Sequence, residues 1–271
     1  MPEKLKVDLG NVQKTLFLPL WGRAQETQKA DPLLVDPLAV EVMNRVDFDF
    51  TAIAANMSPL SQFAWIQRSR LGDVAIRNFL EEHPGGTIVN IGCGLDTTFS
   101  RVDNGKLLWY DLDLSDVIAL RRQFIPETGR SKTIAASFLD ENWPNEITVH
   151  DGVFWICCGV FYYFTEAEVK GFLKRLTDRF PGSEIFFDVS SPRGVKIANK
   201  MVIKNAGMDE RSYLTWGLAH PRDLLAWDSR FRILDTLFYF REGRMDASLR
   251  FAGWISDMMK IQYLIRLKLG G

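Results

Sequence analysis

Two glycines and two carboxylates are the residues of this sequence whose types and spacing can do chemistry together. An apolar run, Thr87-Ile88-Val89-Asn90-Ile91, leads into Gly92-Cys93-Gly94-Leu95-Asp96-Thr97. Roughly twenty residues later a second run, Leu108-Trp109-Tyr110, ends in Asp111-Leu112-Asp113, the spacing a nucleotide site in an open α/β sheet requires. Such glycines let the backbone turn tightly and lie against a ligand. An acid at the end of the next strand can accept hydrogen bonds from both hydroxyls of a ribose.

The loop also narrows the ligand. A dinucleotide fold wants a third glycine at position 97, beside the pyrophosphate, and this chain has Thr97. No Gly-Lys-Ser/Thr is present to hold a triphosphate. Two glycines and a ribose-reading acid suit an adenosine ligand without phosphates, of which S-adenosylmethionine is the common one. By itself Gly-x-Gly is also a plain tight turn, and Asp111 and Asp113 are also plain strand-end acids.

These residues need a scaffold, and the composition supplies one. The chain has 271 residues, 46% hydrophobic and 25% charged, which is ordinary for a globular protein with ample core. A formal net charge of -1 points to neither nucleic acid nor an anionic membrane as partner. Met1–Gly10 lacks a signal-peptide apolar region, and the longest apolar run, Val153–Phe164, is too short to span a bilayer. Cys93, Cys157 and Cys158 form no metal-ligand spacing, so free thiols in a reducing cytoplasm are the simplest account. The oligomeric state is not legible.

Residues 11–82 read as helices. Asp36-Pro37 and Ser58-Pro59 each pair an N-cap with proline at the first helical position, and the second helix should stop at His83-Pro84-Gly85-Gly86. From 87 onward strands are expected over 87–92, 107–112, 132–136, 153–158, 183–189, 231–239 and 261–269. Thr165 and Glu168 form a capping box for a helix that Pro181-Gly182 ends, and another helix is expected near 247–259. This alternation implies a mostly parallel sheet covered on both faces, with 261–269 as an antiparallel closing strand. Residues 190–226 break the rhythm and gather Met201, Met208, Tyr213 and Trp216, with Trp227 following. The segment reads as a cover over a substrate pocket or as a helical insertion packed on the core.

Several motifs occur together along nearly the whole chain. They are Thr15-Leu16 with Arg23-Ala24-Gln25-Glu26-Thr27, Asp36-Pro37-Leu38-Ala39, Gln67-Arg68-Ser69-Arg70, the glycine loop, Trp109–Leu114, and Gly159-Val160-Phe161-Tyr162-Tyr163-Phe164. In these the sequence resembles the leucine carboxyl methyltransferase family, whose bacterial branch includes tetracenomycin-type polyketide O-methyltransferases. The last motif is similar to the family's Gly-Val-x-x-Tyr-Leu/Phe. The resemblance implies a class I methyltransferase (Rossmann-like) α/β fold, a seven-stranded mostly parallel sheet. Residues 1–86 would be an N-terminal helical extension and 87–271 the S-adenosylmethionine-binding domain, with 193–226 inserted after the fifth strand as a substrate cover.

The resemblance also assigns roles. Gly92 and Gly94 would underlie the methionine part of the cofactor. Asp113 would hold the ribose hydroxyls with Asp111 assisting, Arg68 would pair with the cofactor carboxylate, and Ser137 and Phe138 would lie against the adenine. Arginine suits a carboxylate because its planar fork is bidentate. Three positions depart from the pattern: Cys158 stands where the family usually has Glu, Ser115 for a usual Pro, and Thr98 where Arg is common. The Glu can meet the cofactor amino group; here Asp151, Glu166 or nearby backbone carbonyls are conceivable substitutes. No catalytic residue is fixed; Tyr162, Tyr163 and His220 are the candidates, while His83 reads as structural. The implied activity is O-methylation of a small aromatic or polyketide-like acceptor. Carboxyl methylation of a protein C-terminus, and a cofactor-binding module without catalysis, are the alternatives.

Overall fold

The computed structural model describes residues 4–6, 16–200, 213–241 and 243–271. The helical N-terminal part comprises α1 (Phe17–Thr27), α2 (Pro37–Arg45), α3 (Thr51–Asn56) and α4 (Pro59–Glu82). Both proline-led starts occur as expected: the Asp36 side chain accepts from Ala39 N and that of Ser58 from Ser61 N. Two short strands, β1 (Leu5–Lys6) and β2 (Val46–Asp47), pair in parallel beside them, which the sequence pattern did not announce.

All seven expected strands form, with ends shifted by at most two residues. They are β3 (Thr87–Ile91), β4 (Leu108–Asp113), β5 (Ser131–Ala135), β6 (Val153–Cys157), β7 (Ser183–Val189), β8 (Phe231–Phe238) and β9 (Tyr263–Leu269). They make one sheet in the order β5-β4-β3-β6-β7-β9-β8, parallel from β5 to β7 and antiparallel at β9 and β8. Strands β3, β6 and β7 are buried at every position, as a sheet covered on both faces demands. The last strand does not close the sheet. It lies between β7 and β8, and β8 is the edge, bulged at Ile233/Asp235 and partly exposed. An irregular, half-polar strand suits an edge because it resists pairing with another chain.

Helices α5 (Thr98–Val102), α6 (Ser115–Arg121), α7 (Glu166–Arg179), α8 (Pro192–Ala198) and α9 (Ala247–Met258) complete the layers. Thr165 and Glu168 form the expected capping box of α7. Strand order reverses beside β3: the chain steps from β3 to β4 on one side and later to β6 on the other. Crevices form at such switch points, outside the carboxyl ends of the strands. Helix α4 runs antiparallel to the strands beneath this point. Phe79 meets Phe154 low in the sheet at 5.3 Å. Gly72 passes within reach of Ile156, where an added Cβ would lie 3.3 Å from its Cδ1. Arg68, one turn higher, arrives level with Gly159 at the mouth of the crevice.

Part of the segment after β7, expected as a cover, is described. Met201, Met208 and Arg211 lie outside the described residues. Trp216 and Trp227 are buried in the core and pack on each other at 5.8 Å, so they are core residues and not pocket walls. Their burial explains the aromatic clustering without a ligand.

Candidate active site

A cavity of about 520 Å³ opens at the switch point, a size typical of small-molecule sites. It is lined by the glycine loop, by Asp113 and Leu114 at the end of β4, by Ala136, Ser137 and Phe138 after β5, and by Cys158, Gly159, Val160, Tyr162, Tyr163 and Phe164 after β6. Arg68 enters from α4, Leu16, Leu18 and Pro19 from the start of α1, and Ala198 and Leu214 from the segment after β7. The structure therefore brings Arg68, Gly92, Gly94, Asp113, Ser137, Phe138, Cys158, Tyr162 and Tyr163 to one cavity.

The loop has the conformation that requires glycine. Gly92 (φ 65°) and Gly94 (φ 49°) are both left-handed. A Cβ on Gly92 would lie 2.3 Å from Val160 Cγ2. Gly94 N–H donates to Asp113 Oδ2 at 2.7 Å, and Leu114 N–H donates to Oδ1 at 2.8 Å. Burial pushes the Asp113 carboxyl up from its ordinary value, although both backbone donors oppose this.

Two of the expected residues lie elsewhere. Asp111 shares a strand face with Asp113 but is fully inside the protein. It accepts from Arg121 Nη2 at 2.6 Å and from Asn90 Nδ2 at 3.0 Å, and is not part of the cavity wall. A carboxylate one strand pair deeper cannot reach a ligand at the strand ends; it finds a buried cation instead. His220 is exposed, with its Nδ1 3.1 Å from Lys260 Nζ and its backbone N–H donating to Asp223. It is away from the cavity, and among the described residues no histidine lines it.

The two substitutes for the Glu replaced by Cys158 are also placed elsewhere. Asp151 pairs with His83 at 3.2 Å, just before β6 begins, at the opposite end of the strand. Glu166 accepts from the Trp216 indole. The negative charge beside Cys158 comes from Asp188, near the end of β7, which the sequence reading missed. Asp188 is 0% exposed and accepts from Gly159 N (2.6 Å), Arg68 Nη1 (3.1 Å), Tyr162 Oη (3.3 Å) and Tyr239 Oη (3.3 Å). Burial opposes the Arg68 charge, but Asp188 outweighs it and holds its pKa well up. Burial and Asp188 together push the Cys158 thiol and the Tyr162 phenol up, so both are neutral. An acid directly after the apolar run Ile185-Phe186-Phe187 was the signal that marked Asp188.

A second missed group holds the glycine loop from below. Arg121 on α6 donates to the carbonyls of Gly94 (3.0 Å) and Asp96 (2.6 Å), and Arg23 on α1 to that of Leu95 (3.0 Å). Asp36 binds Arg23 Nε at 2.9 Å and Arg101 Nη1 at 2.8 Å, and Asp73 takes the other edge of Arg101. Burial opposes the Asp96 charge, but Arg23, Arg101 and Arg121 bring its carboxyl down to about 2. Arg101 supplies a guanidinium one turn after Thr98, whose hydroxyl it binds at 2.8 Å. Arg23 and Asp36 stand within motifs of the family resemblance, where their roles were unassigned.

The description "Leucine carboxyl methyltransferase" belongs to a family model that matches residues 17–177, more than half the chain and all of the loop support. The chain belongs to the leucine carboxyl methyltransferase family. Two relatives are 28% identical to this family member. One is the tetracenomycin polyketide synthesis O-methyltransferase TcmP of Streptomyces glaucescens, over 86% of this chain and 87% of that protein. The other is the S-adenosyl-L-methionine-dependent methyltransferase dpfgK of Gibberella zeae, over 95% of this chain and 91% of that protein. Among solved structures, a DUF574 family protein from Streptomyces avermitilis superposes with TM-score 0.56 at 14% identity, covering 93% of this chain and 97% of that one. An S-adenosylmethionine-dependent methyltransferase from Clostridium acetobutylicum gives 0.51 at 12% identity, covering 82% and 96%. These structural likenesses establish the class I fold. No helix among the described residues is long and apolar enough to cross a membrane.

Proposed function

We propose that this protein transfers the methyl group of S-adenosylmethionine to an oxygen of a small, aromatic or polyketide-like molecule. The observation that carries the reading is one cavity containing both the nucleotide-type site and an apolar wall. Its polar part is Gly92, Gly94, Asp113 and Arg68; its apolar part includes Tyr163, Phe164, Ala198 and Leu214. TcmP, an O-methyltransferase by name, supports the choice of atom.

The residues present fit the cofactor. The Asp113 carboxylate offers about four acceptor positions. Two are taken by backbone N–H groups, which leaves one on each oxygen for the two ribose hydroxyls. Arg68, held by Asp188, presents its fork to the carboxylate of the methionine part, while Ser137 and Phe138 border the adenine. Bound there, S-adenosylmethionine supplies an electrophilic methyl on a sulfonium. The protein's task is then to align the acceptor oxygen with that methyl and to exclude water. From the segment expected as a cover, Ala198 and Leu214 contribute to the wall. Asp96 and Asp113 are both held by donors, so among the described residues the cavity offers no free base. An acceptor that ionises readily, such as a phenol or enol, matches such a site.

A protein C-terminus as acceptor would need a cation for its own carboxylate. Arg193 and Arg222 are exposed and lie outside the cavity wall. A paired assay with methyl-labelled cofactor separates the readings. Label on phenolic polyketides is the expected result. Base-labile label only on peptides ending in a free leucine carboxylate would overturn it. Silence in both panels, with S-adenosylhomocysteine still bound, would favour a cofactor-binding module.

A further inference from the structure

We propose that Tyr162, with its hydroxyl hydrogen committed to Asp188, binds the ammonium group of the methyl donor's amino-acid part. The inference rests on the reading of Arg68 as the partner of the donor's carboxylate.

The hydrogen bonds around Asp188 fix the direction of every proton. The carboxylate receives four donors: Arg68, Tyr162 and Tyr239 crowd Oδ2, and Gly159 N–H takes Oδ1. It is fully buried and not part of the cavity wall, so it meets no ligand directly. Its charge acts through the groups it holds. Tyr162 has a single hydroxyl hydrogen, and Asp188 takes it at 3.3 Å. Arg68 Nη1 donates to the same phenolic oxygen at 3.3 Å. What Tyr162 still presents to the cavity it lines is an acceptor lone pair. It therefore reads a donor and rejects a second acceptor.

Covalent geometry supplies the second half of the argument. In an α-amino acid the ammonium nitrogen lies only about 2.5 Å from the carboxylate carbon. The group that holds the ammonium must then adjoin the group that holds the carboxylate. Beside Arg68 stand Asp188, Tyr162, Tyr239 and Cys158. Asp188 is sealed away from the cavity, the Tyr239 hydroxyl is spent on Asp188 in the sealed core, and the Cys158 thiol carries no charge. Tyr162 alone of these combines an open acceptor position with a carboxylate behind it. Arg68 and the Tyr162–Asp188 pair then form two poles matched to a zwitterion. Tyr162 occupies an unspecified position of the Gly-Val-x-x-Tyr pattern, whose tyrosine falls at Tyr163, so the device belongs to this chain's own residues.

The test is calorimetry with two ligands on wild type and Tyr162→Phe: S-adenosylhomocysteine, and its deaminated analogue bearing hydrogen in place of the amine. Wild type is expected to prefer the amine-bearing ligand. Tyr162→Phe should lose roughly tenfold or more for S-adenosylhomocysteine, the scale of one hydrogen bond to a charged group, and nothing for the analogue. Asp188→Asn should erode the same preference. Equal losses for both ligands in Tyr162→Phe would reduce Tyr162 to a structural role and overturn the proposal, as would equal wild-type affinities. Failure of wild type to bind either ligand would instead remove the cofactor reading on which the proposal stands, and the proposal with it.

Discussion

The Thr97 hydroxyl donates to the Asp36 carboxylate across 61 residues of sequence. Thr97 fills the position where a dinucleotide loop has its third glycine, and Asp36 is the N-cap of α2. One side chain thus ties the glycine loop to the helical N-terminal part. The residue that argued against a pyrophosphate has a structural task of its own.

Removing that tie should cost stability in a graded way. Thr97→Ser keeps the hydroxyl and should be nearly neutral. Thr97→Val leaves a buried carboxylate short of a donor, at about 1–3 kcal/mol. Asp36→Ala leaves the buried guanidinium groups of Arg23 and Arg101 without this partner and should cost about 3–5 kcal/mol. Urea unfolding monitored by tryptophan fluorescence measures all three. A neutral Thr97→Val would contradict the role given to its hydroxyl.

Asp113 and Asp111 should separate binding from folding. On the proposed role of Asp113, Asp113→Ala should remove two charge-assisted bonds to the ribose and weaken S-adenosylhomocysteine by roughly 2–4 kcal/mol. Asp111→Ala should leave the cofactor's direct contacts intact but strand Arg121, lowering the melting temperature sharply. Calorimetry and thermal melts on both variants test the split. Comparable binding losses in folded proteins would place Asp111 at the ribose after all.

At Gly92 two penalties are separable. Gly92→Ala places a methyl 2.3 Å from Val160 Cγ2 and also forces alanine to φ 65°. Adding Val160→Ala should relieve the clash and recover part of the affinity for S-adenosylhomocysteine. The left-handed backbone cost, about 1–2 kcal/mol, should remain. Full recovery would mean that backbone conformation plays no part.

Asp257 offers a pH signature far from the cavity. Among the described residues its Oδ1 has no hydrogen-bond partner, while Oδ2 accepts from Phe240 N at 3.1 Å. Burial pushes its carboxyl from 3.8 up to about 6, with Arg241 partly offsetting the effect. A raised acid pKa stabilises the fold below about pH 4, and that contribution is lost as pH rises through about 6. Asp257→Asn removes the dependence. It should raise the melting temperature at pH 7.5 and change it little at pH 4. The reverse order would show that the charged carboxylate is the favoured form.

Much of the scaffold was legible because local rules and tertiary packing agree. Ser58-Pro59, Asp36-Pro37 and the Thr165–Glu168 box each start a helix where capping chemistry puts one. The buried strands are short apolar runs. The glycine loop and Asp113 were legible because their spacing follows from the sheet itself. Asp111 was misplaced because a period of two gives a shared face but not depth along the strand. His220 was misplaced because proximity in sequence to a cover says nothing about which way a side chain turns. Asp188, Arg121 and Arg23 were missed because they act on the site through partners 25 to 120 residues away, a range that local patterns do not encode.

The two-arginine grip on the glycine loop bears on how this protein can be recombined. Arg23, Asp36 and Asp73 precede residue 87; Thr97, Arg101 and Arg121 follow it. A chimaera joining residues 1–86 of one relative to the remainder of another would break no strand. It would still divide a buried set of charges whose members are matched only to each other. Exchange across that junction should succeed where both parents carry the same partners, and elsewhere yield a loop without half of its support. The natural unit of inheritance for the cofactor loop therefore begins at α1, well before the first strand of the sheet.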